Sequence, residues 1–395
     1  MRILIITYSR EVNPGTFLQA YGVQYAFRLF FPNAEIELLK HKRLYKLTGA
    51  KVDSSKPTKK NWIWLKGRLL AIPRRLKYEW HYYSKFQFSK QEFDLFDYNQ
   101  EKFKSFAETY DLIVVGSDTI LINLKKNDKY GLMWLLGVNT CKLLFAASAS
   151  PAKFSFTDDE KKMLNENFSS FKYLGVRDAV TEKLLSEKVG LGDRVIRQFD
   201  PTYLIPDSHF KLPILLKHKL ESIKKGEKIA LVNFGMDFFG KKDLTEHLRQ
   251  KGYYIVSTVY NPWADHNIMT LSAFGWAALF RYIDIAITER FHDSVFALRN
   301  NKAVIAVDWA ENRFSADGSS KTSCILESYG LSDLHLICRS DKDMEKLYRM
   351  IDGIDNHFDK NKIKFVNREI AFDYQDKMKK IKADIVEKID GLGGE

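Results

Sequence analysis

Apolar and polar positions follow two periods along most of this chain. Short apolar runs read as buried strands. In the first half they are Arg2 to Thr7, Leu112 to Val115, Leu143 to Ala147, Tyr173 to Val176 and Val195 to Phe199. In the second half they are Ile229 to Phe234, Tyr253 to Val259, Asp284 to Thr288 and Ala303 to Val307. Between them the period lengthens to that of a helix. Thr16 to Leu29 keeps Leu18, Tyr21, Tyr25 and Leu29 on one face, with Thr16 placed to cap it. Gln100 to Thr109, Asp243 to Lys251, Ser272 to Tyr282 and Asp293 to Arg299 are further helices, and Thr157-x-x-Glu160 is a capping box that opens another. Strands that alternate with helices predict βαβ units, a parallel sheet and the α/β class.

A chain of 395 residues suggests two domains. A polar, lysine-rich segment from Pro206 to Gly226 marks the boundary. The expected division is 1–206, 207–360 and a charged amphipathic tail, 361–395, of one or two helices. No internal repeat, G-x-G-x-x-G or P-loop is present, which argues against a dinucleotide or Walker site. The apolar N-terminal run is too short for a signal peptide, and no run suits a membrane span. Cys141, Cys324 and Cys338 lack paired spacing, so no disulfide or zinc framework is expected. These features predict a cytoplasmic protein.

Charge changes the picture at one place. The net charge is +12, which favours polyanionic partners. Residues 40–90 hold 15 Lys and Arg against Asp53 and Glu79, interleaved with Trp62, Trp64, Leu69, Ile72, Trp80 and Tyr83. That composition suits an anionic membrane surface. It also fits nucleic acid through stacking, although no RNP, helix-turn-helix or zinc-finger signature supports that. The bland alternative is a helical hairpin with Trp and Leu packed inward.

Candidate chemistry gathers where strands end, the usual ligand position in an open parallel sheet. The strand at Asp284 to Thr288 runs into Arg290 and His292, a cation and an imidazole two residues apart. They suggest an anion site beside a general acid/base; the alternatives are a structural ion pair and a polar helix cap. Asn13 and Gly15 stand in the first strand-to-helix turn, where backbone amides can meet an anion. Ser117 and Asp118 follow the next strand, Arg177 and Asp178 another, and Asp200 opens Asp-Pro-Thr. Each has an ordinary reading as a turn or ion pair. No His/Asp/Glu cluster has metal-ligand spacing.

Taken in order, these landmarks resemble the polysaccharide pyruvyltransferase family. They are NPGTFLQAYGVQ from Asn13, YDLIVVGSD from Tyr110, GVRD from Gly175, DPTYLI from Asp200 and ERFHDSVFAL from Glu289. The chain departs from the family pattern at Thr119 and Leu121, in AASAS after the strand at Leu143, and at Ala303, and the basic segment at 40–90 lies outside it. The resemblance implies two Rossmann-like domains in a GT-B-like arrangement, with the active site in the interdomain cleft. It implies transfer of the pyruvyl group of phosphoenolpyruvate to a sugar of a polysaccharide repeat unit, forming a cyclic ketal and releasing phosphate. No cofactor or metal is needed. Arg177 and Arg290 would clamp the donor, since carboxylate and phosphate suit planar bidentate cations. His292 would move protons. Asn13, Gly15 and Gln19 would shape the acceptor side, Ser117 and Asp118 would meet sugar hydroxyls, and Asp200 would fix a turn. A lipid-pyrophosphate-linked acceptor would place the chain at the inner membrane face, held by residues 40–90. A nucleotide-sugar glycosyltransferase on the same fold is the alternative.

Overall fold

The computed structural model describes residues 1–9, 11–42, 66, 69–70, 72–235 and 237–392, with side chains as far as 385. The first half begins with β1 (Arg2–Ile6), α1 (Pro14–Phe30), β2 (Glu35–His41), α2 (Ile72–Lys85), β3 (Phe88–Phe93), α3 (Gln100–Ala107) and β4 (Leu112–Val115). A small hairpin follows, β5 (Lys125–Lys126) and β6 (Lys129–Tyr130). Then come β7 (Cys141–Ala147), α4 (Asp158–Ser169), β8 (Tyr173–Val176), α5 (Ala179–Lys183) and β9 (Val195–Arg197). The second half contains α6 (Ile214–Ile223), β10 (Lys228–Asn233), α7 (Lys241–Gln250), β11 (Tyr253–Ser257), β12 (His266–Asn267), α8 (Ala273–Leu279), β13 (Ile285–Thr288) and α9 (Phe291–Arg299). It continues with β14 (Ala303–Asp308), α10 (Lys321–Ser328), β15 (His335–Ile337), α11 (Asp341–Asp352) and α12 (Ile354–His357), and the chain closes with α13 (Lys360–Leu392).

Each half builds one parallel sheet, in the orders β3-β2-β1-β4-β7-β8-β9 and β12-β11-β10-β13-β14-β15. Both run outward from a central first strand in the Rossmann order 3-2-1-4-5-6, and the first sheet adds a seventh strand, β9, at its far edge. The α/β class and two Rossmann-like halves are therefore as expected. Each sheet is covered on both faces, so its central strands are apolar throughout, as in RILII and LIVV. Successive side chains alternate between two cores. Ile3, Ile5 and Val114 join one that runs on into the second half, whereas Leu4, Ile6 and Val115 join another confined to the first.

The continuous core fastens the halves together. Phe17 and Tyr21 of α1 meet Phe274 of α8 edge-on, at 5.8 and 5.0 Å between ring centres. Helix α13 returns from the second half to the first: Tyr374 donates to the Phe199 carbonyl and lies tilted against Phe145, and Lys377 Nζ donates to the Arg197 carbonyl at 2.5 Å. The tail is thus one long helix.

Three expectations change. Helix α1 starts earlier than expected, with Pro14 in its first turn, where the missing N–H costs nothing, and Asn13, not Thr16, as its N-cap. Asn13 Oδ1 accepts from Gly15 N at 3.0 Å. Helix α9 starts at Phe291, which puts His292 inside its first turn. The segment 40–90 is not simply an insertion, because it supplies the end of β2, all of α2 and the first residues of the edge strand β3. Its residues 43–65 lie outside the described residues.

Candidate active site

The carboxyl ends of the two sheets face each other across a cleft of about 1240 Å³. Both reversal points of strand order, β1/β4 and β10/β13, open onto it, as an α/β ligand site requires.

Helix α9 enters from the second half. Arg290 is its N-cap residue, extended at φ −101° and ψ 125°, and its N–H donates to Thr288 Oγ1 at 3.0 Å. The positive end of the helix therefore points into the cleft. Burial lowers the Arg290 pKa, and nearby Arg74 and Arg313 add to this against Asp293 and Glu289. Its Nε has no hydrogen-bond partner among the described residues. Asp293, in the same turn, accepts from Asn233 Nδ2 and Thr288 Oγ1, both at 2.7 Å, and burial pushes its carboxyl up.

His292 crosses to the first half and packs against Gly15, so closely that a Cβ there would lie 2.0 Å from Nδ1. Its Nε2 lies 3.6 Å from Asp200 Oδ2, the distance of an ion pair rather than a hydrogen bond. Asp200 is the hub of this wall. Its Oδ1 accepts from Thr202 N and Thr202 Oγ1, at 3.0 and 2.6 Å. Its Oδ2 accepts from Gln19 Nε2 at 2.6 Å and from Arg177 at 3.1 Å. Burial would raise this carboxyl, but His292, Arg177 and Thr202 outweigh it and hold the pKa well below the usual carboxylate range. The Arg177 guanidinium also lies 4.5 Å over the Phe291 ring. Arg177 is thus fixed from both halves, and its bland reading as an ion-pair partner holds.

Asp118 stands opposite, at φ 77° in the left-handed region. Its Oδ2 accepts from Thr16 Oγ1 at 2.7 Å and its Oδ1 from Thr119 N at 2.8 Å. Burial works against its charge, yet Arg177, Lys321 and His292 keep it ionised. Asn13, Asp118, Arg177, Arg290 and His292 line the cleft together. Ser117 and Gln19 do not reach it. Ser117 is fully buried and its carbonyl accepts from Thr7; Gln19 is fully buried and acts on Asp200. Gly15 contributes closeness to His292 and no side chain.

Sequence reasoning missed several cleft residues. Lys321 opens α10, and burial lowers its amine to about 8, with Arg177 adding to this and Asp118 opposing it. Its helix is capped by Ser320, whose hydroxyl donates to Asp308 Oδ2 at 2.5 Å, and Asp308 also accepts from Thr322 and from His335 at 2.9 Å. Arg313 pairs with Glu289 at 3.0 Å. Arg74 and Arg75 of α2 line the cleft as well, and Arg74 donates to the Thr258 carbonyl at 3.0 Å, across to the second half. Nothing in their sequence surroundings marks Lys321 or Asp308, since each becomes a site residue only through tertiary placement. Among the described residues no group of three His, Cys, Asp or Glu side chains is set to hold a metal ion.

The arrangement combines a ring of cations, a helix N-terminus and a half-buried imidazole beside a buried carboxylate. It can bind a small dianion and move protons next to it.

Comparison with known proteins gives one match to a family: residues 13–311 match that of polysaccharide pyruvyl transferase. No curated protein matches. Among solved structures, the chain is similar to a UDP-GlcNAc 2-epimerase from Neisseria meningitidis bound to UDP-GlcNAc (TM-score 0.49, 11% identity, covering 94% of this chain and 98% of that one). It is also similar to a UDP-GlcNAc 2-epimerase from Methanocaldococcus jannaschii (TM-score 0.47, 10% identity, 88% and 91% covered). A third is a Streptomyces glycosyltransferase complexed with thymidine diphosphate (TM-score 0.41, 12% identity, 99% of each chain).

Proposed function

We propose, from the premise that this chain belongs to the polysaccharide pyruvyl transferase family, that it moves the pyruvyl group of phosphoenolpyruvate onto a sugar of a polysaccharide repeat unit. The observation that carries the reading is His292 set between Gly15 and Asp200, with Arg177, Arg290 and Lys321 around it.

Arg290, the N-terminus of α9 and Lys321 hold the donor's carboxylate and phosphate, with Arg177 completing the clamp. One sugar hydroxyl adds to C2 of the enol while the methylene gains a proton and becomes a methyl group. The C2–O bond to phosphate then breaks. The second hydroxyl adds to the same carbon, and its proton leaves with the phosphate. The product is a cyclic ketal. His292 gives the proton to the methylene and takes one from a hydroxyl. Asp200 places a negative charge 3.6 Å from the ring's Nε2. Asn13 and Asp118 meet the acceptor.

The acceptor we infer is a repeat unit on a lipid pyrophosphate, met at an anionic membrane face. Among the described residues no helix is long and apolar enough to cross a membrane. Arg74 and Arg75 line the cleft, and Arg74 and Lys77 donate to the Thr258 and Thr270 carbonyls.

Calorimetry with phosphoenolpyruvate on wild type, Arg290→Ala and His292→Ala tests the reading. Wild type binds, the arginine variant loses binding and the histidine variant keeps it. Binding of a nucleotide such as CMP in place of phosphoenolpyruvate sinks the reading in favour of a glycosyltransferase.

A further inference from the structure

Helix α2 is amphipathic in an inverted sense. Its inward side buries Tyr78 and Tyr82 and turns Arg74 and Arg75 toward the cleft. Its outward side carries Ile72, Leu76, Trp80 and Tyr83 at spacings of four, four and three, one line along a helix. These side chains are 46%, 66%, 74% and 61% exposed. Leu69 and Leu70, just upstream, are exposed too. On α2 the exposed Leu76 and Trp80 depart from the inward packing of the bland alternative; Trp62, Trp64 and Leu65, which that reading also covered, lie outside the described residues. A water-facing row of large apolar residues on one helix marks an interaction surface.

Charge identifies the partner. Exposed Lys66, Lys77 and Lys85 flank the apolar row, and Glu79 is the one acidic residue in the α2 sequence. An apolar face with Trp and Tyr, edged by lysines, matches a helix lying in a lipid interface, with rings at the headgroups and ammonium groups on phosphates. A protein partner offers no general reason for this excess of cations, whereas an anionic leaflet does.

We infer that the outward face of α2, centred on Leu76 and Trp80, docks the protein on an anionic membrane surface. The inward face of the same helix lines the cleft, so docking sets the cleft mouth at headgroup level. There it meets the sugar of a lipid-borne acceptor; this last step rests on the function proposed above, and the docking itself does not.

The test is flotation of the full chain with phosphatidylcholine vesicles, with and without phosphatidylglycerol, for wild type and the double variant Leu76→Ser/Trp80→Ser. Wild type floats only with the anionic vesicles. The variant partitions at least tenfold more weakly, with an unchanged melting temperature and unchanged phosphoenolpyruvate binding in vesicle-free solution. Three results overturn the inference: no flotation of wild type, equal flotation of the variant, or a wild-type dimer that the variant dissociates, which would mean that a second copy covers the face. Loss of donor binding in vesicle-free wild type would sink the enzymatic reading while leaving the docking result intact.

Discussion

Gly15 and His292 touch across the two halves of the molecule: a methyl group added to the glycine would lie 2.0 Å from Nδ1 and 2.1 Å from Cγ of the imidazole. The glycine has an ordinary negative φ, so space and not backbone freedom demands it. Gly15→Ala must displace the ring. A shift near 1 Å at a reacting group costs on the order of 10²-fold in rate. Steady-state phosphate release is expected to show that loss in kcat, with donor affinity by calorimetry nearly intact. An alanine variant with wild-type kcat would remove His292 from proton transfer.

Asp200 and Arg177 form a fully buried pair, their side chains 0% and 3% exposed. Removing one partner of such a pair typically costs about 3–5 kcal/mol. Asp200→Ala is expected to lose that much in denaturant unfolding at neutral pH. The fold depresses this carboxyl, so its stabilisation is present above the unfolded value of about 3.9 and fades as pH falls through the lower folded value. The gap between wild type and variant stays flat from neutral pH to about 5 and narrows below about 4. A gap that widens on acidification would refute the assignment.

Lys321, lowered to about 8, gives a signature on the alkaline side. If its ammonium group holds the donor, kcat/KM for phosphoenolpyruvate falls as pH rises through about 8, because that ratio reports groups of the free enzyme. Lys321→Arg keeps its charge and should lose this limb while retaining donor binding. A limb that persists in the arginine variant belongs to another group.

Asp308 braces the start of α10, where Lys321 lies, by accepting from the cap Ser320, from Thr322 and from His335. Asp308→Ala frees the start of that helix. Donor KM is expected to rise about tenfold or more, with the alkaline limb displaced from about 8. An unchanged limb beside a lowered melting temperature would make Asp308 merely structural.

The central strands were legible because a strand covered on both faces must be apolar throughout. Strand β2 and the edge strand β3 were not. EIELLKH and FSKQEF carry charges along their length, and Glu37 is buried only because Tyr110 and Arg2 reach it at 2.6 and 3.4 Å. Arg290 and His292 were legible because local sequence places both at one strand end. Asp200 was half legible: the turn it holds through Oδ1 is local, while the Gln19 and Arg177 contacts of Oδ2 span 181 and 23 residues. Lys321 gave no signal, since its chemistry comes from burial among side chains distant in sequence.

The imidazole belongs to one half of the molecule, while the carboxylate and the glycine that seat it belong to the other. The ring therefore depends on residues far from it. A substitution that loosened Phe17 and Tyr21 against Phe274 would part the imidazole from its carboxylate with nothing beside the ring changed.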